Sequence, residues 1–199
     1  MPPPDQASIA EPFWEEISTD KLAQGDFLPA CSVPIVPPDF KADAGPAKVR
    51  IDVIDLIVMT QSCDLENNKA TLVACCPIHS ILRFEEFTPA LKKSGEWERV
   101  RQGRVEGLHL LGSTTKPDDK WGAFVVDFRG IYSLPVGYMT QHARSMPSRW
   151  RLLSPYLEHF SQAFARFFMR VGLPSPIPPY NKPPLRPPET PSIPKAPIQ

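Results

Sequence analysis

Residues 48–81 read KVRIDVIDLIVMTQSCDLENNKATLVACCPIHSI, and the reading of this stretch decides the fold. It holds two runs rich in Val, Ile and Leu, at 53–59 and 70–78, separated by a short polar segment. Apolar side chains follow one another almost without a break, Asp55 being the exception in the first run. That pattern marks strands buried on both faces. Two adjacent core strands are therefore expected at 49–60 and 70–79. Gln61-Ser62-Cys63-Asp64 and Glu66-Asn67-Asn68-Lys69 supply the turn between them, at the rim of the domain.

Upstream, residues 27–35 form a first strand, which Pro29 and Pro34 make irregular or place at a sheet edge because they lack ladder donors. Before it, Phe13, Trp14 and Ile17 share the apolar face of a short helix or turn over 12–17, broken at Ser18-Thr19-Asp20. Downstream, Phe84, Phe87, Leu91, Trp97, Val100 and Val105 have helical spacing, and Pro89, Gly95, Gly103 and Gly107 hold these helices to a few turns. Residues 108–111 are a short apolar piece and 114–120 a polar loop. Short strands follow at 123–128, 130–136 and 150–153. Ser154-Pro155 opens the clearest helix: serine suits the cap and proline the first helical position. Leu157, Phe160, Phe164, Phe167, Phe168 and Val171 give it one broad apolar face, and Gly172 closes it.

With 199 residues the chain holds one ordinary domain and two tails. Lys plus Arg (22) balances Asp plus Glu (22), so no global field draws it to nucleic acid or to an anionic membrane. Of 26 prolines, eleven lie between Pro174 and Pro197, so proline excess describes tails rather than core. The division expected is a disordered segment at 1–11, a β-rich domain at 12–172 and a proline-rich extended tail at 173–199. Met-Pro-Pro-Pro-Asp lacks the basic and apolar regions of a signal peptide, and no run approaches the roughly 18 apolar residues of a membrane span. The cytoplasm is the expected compartment, no membrane partner is expected, and Cys31, Cys63, Cys75 and Cys76 are read as reduced thiols.

Six groups of residues carry candidate chemistry. Cys63 with Asp64, at the end of a buried strand, supplies a nucleophile if His79 stands near it as a base. The bland alternative is a structural thiol beside an aspartate that bonds turn amides. Asp55, if buried, needs donors and is read as structural. Cys75 and Cys76, being adjacent on a strand, point to opposite faces and do not chelate together, so neither metal nor cofactor is expected. Arg99, Arg101 and Arg104 are diluted by Glu96, Glu98 and Glu106. Arg144, Arg149 and Arg151 have no acid between Asp127 and Glu158 and are the better candidates for RNA phosphates, with Trp150 or Tyr138 to stack on bases. In the tail, Pro184-Leu185-Arg186-Pro187 fits a ligand of aromatic grooves, a tether being the plainer reading.

The order of these parts resembles the MazF/PemK family, small SH3-like barrels that act as bacterial toxins and cut RNA. Gly25-Asp26 stands at the start of the first strand as in that family. Asp55-Leu-Ile-Val-Met-Thr60 is similar to its buried strand ending in a hydroxyl, and Thr71-Leu-Val-Ala-Cys-Cys-Pro77-Ile-His-Ser80 to the next one. Val126-Asp-Phe-Arg-Gly-Ile-Tyr-Ser133 resembles the late strand, and the helix over 155–171 the closing helix. The resemblance puts the catalytic hydroxyl at Ser80 and the cleavage arginine where this chain has Ile54-Asp55. Residues 82–122 stand as an insertion. What it implies is an α+β, β-rich domain: a small, partly open SH3-like barrel closed by the final helix. It implies a bacterial accessory or interaction module of toxin-like ancestry that binds a protein partner and contacts RNA. An endoribonuclease, or a thiol-dependent hydrolase using Cys63, is the alternative, and a homodimer is one of the assembly states left open.

Overall fold

A computed structural model of the chain describes residues 12–41, 49–114 and 122–169. The tails, Gly172, Val171 and the motif at Pro184 lie outside these residues. The fold is mixed α+β. The two runs that organise the sequence are β3 (Arg50–Val58) and β4 (Leu72–Ser80), antiparallel, with Leu56 opposite Pro77 and Val58 opposite Cys75. β2 (Phe27–Ile35) pairs along the other side of β3. Its ladder slips between Leu28 and Cys31, where Ala30 takes a φ of 54° and donates its amide to Asp55 Oδ1 at 2.8 Å. The irregularity expected of the proline-bearing strand is thus a bulge, and Asp55 is the acceptor that holds it.

β4 carries two strands end to end on its second side: β6 (Phe124–Asp127) along Ile78–Ser80 and β7 (Tyr132–Pro135) along Leu72–Cys75. β5 (Leu108–Leu111) then pairs with β6. β1 (Trp14–Ile17) pairs with β8 (Arg149–Leu152), which meets the start of β2 through a bridge between Asp26 and Arg151. Among the described residues the ladders do not close into a barrel. The β1 side meets the end of β5 at Gly112, where the Trp14 indole donates to the Gly112 carbonyl at 2.8 Å. Gly112 permits that approach, since a Cβ there would stand 2.5 Å from the Phe13 ring.

Val73–Ile78 of β4 and Leu56–Val58 of β3 bury both faces, whereas Arg50–Asp55, expected from composition to be buried on both, leave one face open, with Ile51 and Val53 56% and 62% exposed. Leu56, Val58, Val73 and Cys75 lie in one core with Met139 and Ala143 of α4 (Val136–Arg144). Ile57, Cys76, Ile78 and Val126 lie in another with Phe160 of α5 (Tyr156–Phe168). Cys75 and Cys76 therefore face opposite cores. Phe128 receives α5, with ring centroids 5.7 Å from Phe160 and 5.4 Å from Phe164. A third cluster joins α2 (Ile81–Phe87), a 3-10 turn (Pro89–Lys92) and α3 (Glu96–Arg101) to Leu108 and Val125.

Four further expectations need correction. Residues 14–17 are a strand, because six residues cannot sustain a helix alone while β8 offers a ladder to all four. The strand expected over 130–136 stops at Pro135, and α4 follows, its buried positions Met139 and Ala143 four residues apart. Ser154 does not cap α5; its hydroxyl donates to Glu158 Oε1, and Pro155 holds the cap position. Phe168 is 54% exposed rather than part of the core face.

Candidate functional site

The strongest polar constellation is assembled by Asp26. Gly25 turns the chain into β2 with a φ of 82°, open to glycine at little cost, and its amide and carbonyl bond Val58 and Leu152. The next residue is then fixed against β8, with its carboxylate fully buried. Asp26 accepts from the Ala23 amide, from Arg149 Nε at 3.0 Å, and from Arg151 Nε and Nη2 at 2.5 and 3.0 Å. Arg149 and Arg151 are two apart on β8 and so share a face. Arg149 also donates to the carbonyls of Thr19 and Lys21, and Arg151 to that of Lys21. A buried guanidinium needs this many acceptors.

That use of donors changes the reading of the basic cluster. Arg149 is 5% exposed and has no face left for a phosphate, and Arg151 is mostly enclosed. Arg144, on the last turn of α4, is 60% exposed, and among the described residues its one ion pair is with Asp20 at 3.6 Å. The three arginines are therefore two structural groups and one surface charge. Arg99 and Arg101 pair with Glu96 and Glu98, as a solvated helix face would.

The thiol candidate comes apart in the same way. Cys63 is exposed on α1 (Ser62–Glu66), its Sγ 3.6 Å from Gln61 Oε1 and 3.9 Å from Asp64 Oδ1. The main chain of Asp64, not its carboxylate, closes the turn by accepting the Lys69 and Ala70 amides. His79 lies at the far end of β4: Thr60, just before α1, bonds Ala74, and five residues of strand, about 16 Å, separate Ala74 from His79. His79 is half-buried against the rings of Phe84 and Phe87, and burial lowers its pKa from the ordinary value, with Arg83 acting in the same sense. Ser80 Oγ accepts the Arg83 amide at 3.3 Å as the cap of α2. Cys63 and His79 are not brought together, and Ser80 has a structural duty.

Two features did not emerge from the sequence. One is a cleft of about 670 Å³ between residues 100–107, β5 and α5, with His109, His159, Gln162 and Arg166 on its walls. His159 and Arg166 lie on the polar side of α5, and His109 is hidden in an apolar run of the sequence. The other is the outer face of the β2–β3 arm. β3 leaves β4 beyond Leu56, so Arg50–Asp55 ladder only with β2, and Val36, Val49, Ile51 and Val53 are between 44% and 63% exposed. Among the described residues no three His, Cys, Asp or Glu side chains stand as a metal-binding group, and no helix is long and apolar enough to cross a membrane. Comparison of the chain with models of protein families, with characterised proteins and with solved structures gives no match.

Proposed function

We propose that this chain is a non-hydrolytic interaction module of MazF/PemK-like, SH3-like architecture, which works in the bacterial cytoplasm and takes a protein partner on the β2–β3 arm. The observation that carries this reading is the row Val49, Ile51 and Val53 beside Val36, on a strand whose second edge is free of ladder partners among the described residues. Exposed apolar side chains on a strand with one open edge suit an extended peptide, whose main chain completes the ladder and whose alternate side chains cover the apolar row. On the other face Val33, Ile35 and Ile54 pack into the first core, and the Arg50–Asp52 ion pair stands at its edge.

Catalysis is the weaker reading, because its candidate groups are dispersed: His79 is not beside Cys63, and Ser80 is occupied as a helix cap. RNA contact within this proposal falls to Arg144. Two measurements test it. A photo-crosslinking residue at Val53 is expected to give a discrete adduct in cells, lost on Ile51→Lys, while one at Glu66 gives none. Purified protein is expected to leave RNA intact; cleavage that Ser80→Ala or His79→Ala abolishes would replace this reading with the toxin-like nuclease.

A further inference from the structure

The cleft beside β5 belongs neither to the arm nor to the Asp26 cluster. Leu108-His109-Leu110 alternates on a strand paired with β6, and the His109 ring stacks on Phe128 at 5.9 Å and 21°. Across from it, His159, Gln162 and Arg166 follow one another at three and four residues, so one stripe of α5 is polar. Ala163 and Phe167 lie beside that stripe, and Val100, Val105 and Leu108 complete an apolar wall. The volume, about 670 Å³, is that of small-molecule sites, which join apolar walls to a few convergent polar groups.

The polar groups have a sign. Arg101 is neutralised by Glu98 at 2.6 Å, and Glu106 is already partnered. Arg166 makes no ion pair among the described residues, and it is the cation left to the cleft. The end of α5 carries about half a negative charge, which the full charge of Arg166 exceeds. His109 and His159 each offer at least one N–H donor. Burial, and then His159, hold the His109 pKa down at about 4, so at neutral pH that ring is an uncharged donor.

We propose that the cleft between residues 100–107, β5 and α5 binds a small organic anion: a flat apolar body carrying one carboxylate or one phosphate. The body lies on the Phe128, Ala163 and Phe167 side, and the oxyanion meets Arg166 with the imidazole donors. A guanidinium fork recognises either oxyanion by paired hydrogen bonds.

The full chain, titrated with benzoate and with phenyl phosphate while the imidazole resonances are followed, tests this. At least one probe is expected to shift His109 and His159 saturably, with a dissociation constant of about 1 mM or lower. Arg166→Gln, on an exposed helix position, is expected to weaken it at least about tenfold with the fold unchanged. The better probe tells carboxylate from phosphate. Failure of both probes to saturate overturns the proposal, as does equal binding by Arg166→Gln. Benzyl alcohol binding as tightly as benzoate also overturns it, since the cleft would then be merely apolar.

Discussion

Arg149 and Arg151 meet one buried carboxylate and three main-chain carbonyl bonds, whereas Arg166 meets no acid among the described residues and borders a cleft. The same side chain is structural in one place and available in the other. What separates them is a partner that sequence proximity does not reveal: Asp26 is 123 residues from Arg149 and 125 from Arg151. Positive charge counted along a chain is therefore a poor guide to a phosphate site until each guanidinium has been matched with its acceptors.

The comparison breaks most visibly at Asp26. Asp26→Ala leaves two enclosed guanidiniums with carbonyl acceptors alone, and breaking a buried ion pair from one side costs about 3–5 kcal/mol. Urea unfolding is expected to show that loss, with Arg144→Ala within about 0.5 kcal/mol of the native chain. A loss below about 1 kcal/mol at Asp26 would mean that the network is not structural and would return Arg149 and Arg151 to the list of phosphate ligands.

The cleft has its own signature in pH. The folded His109 pKa, about 4, lies below the ordinary 6.5, so between these values the unfolded chain binds a proton that the folded chain refuses. Stability is full above about pH 6.5 and falls as the pH drops toward 4, by up to about 3 kcal/mol. His159 faces the ring from α5 and opposes its protonation, while Arg166 and the acid Glu106 stand on the same cleft walls. His109→Phe keeps an aromatic ring against Phe128 and is expected to flatten this part of the melting temperature profile. An unchanged profile would place the ring in water, outside the cleft.

Much of the fold was legible in residues 48–81, because strands buried on both faces leave a nearly unbroken apolar record. β3 and β4, the irregular β2, the short helices after Ile81 and the aromatic face of α5 follow from that kind of local evidence. β1 was not legible: Phe13, Trp14 and Ile17 fit a helical face, and the β8 edge that makes 14–17 a strand comes from the far end of the chain. α4 was missed because its core face is only Met139 and Ala143, too sparse to show a period. For the candidate sites the same limit operates more severely. Asp55 was read as structural, and it bonds the Ala30 amide at 2.8 Å. Asp55→Ala should therefore cost about 1–2 kcal/mol in urea unfolding, since a bulge amide loses its acceptor. Cys63 with His79 is a pairing that only strand register can exclude.

The smallest expected effects lie at the thiols, and they sharpen the contrast between a side chain that is placed and one that is merely present. Cys31 and Cys76 are buried, and desolvation pushes both pKa values up to about 12, with Asp55 and Asp127 respectively adding to it. Cys75 is raised further by burial, then by Cys31 and Cys76. Thiolate is the reactive form, so these three are protected twice, by access and by protonation. A disulfide reagent at neutral pH should titrate one thiol of four in the folded chain, Cys63, and all four in denaturant. The rate at Cys63 is the informative number. Labelling at the pace of a free peptide thiol, with unfolding unchanged by Cys63→Ser, fits an exposed residue whose nearest polar atoms are the Gln61 and Asp64 oxygens at 3.6 and 3.9 Å. Labelling many times faster at neutral pH would require a nearby imidazole or cation that α1 does not supply, and would restore the thiol hydrolase over the interaction module.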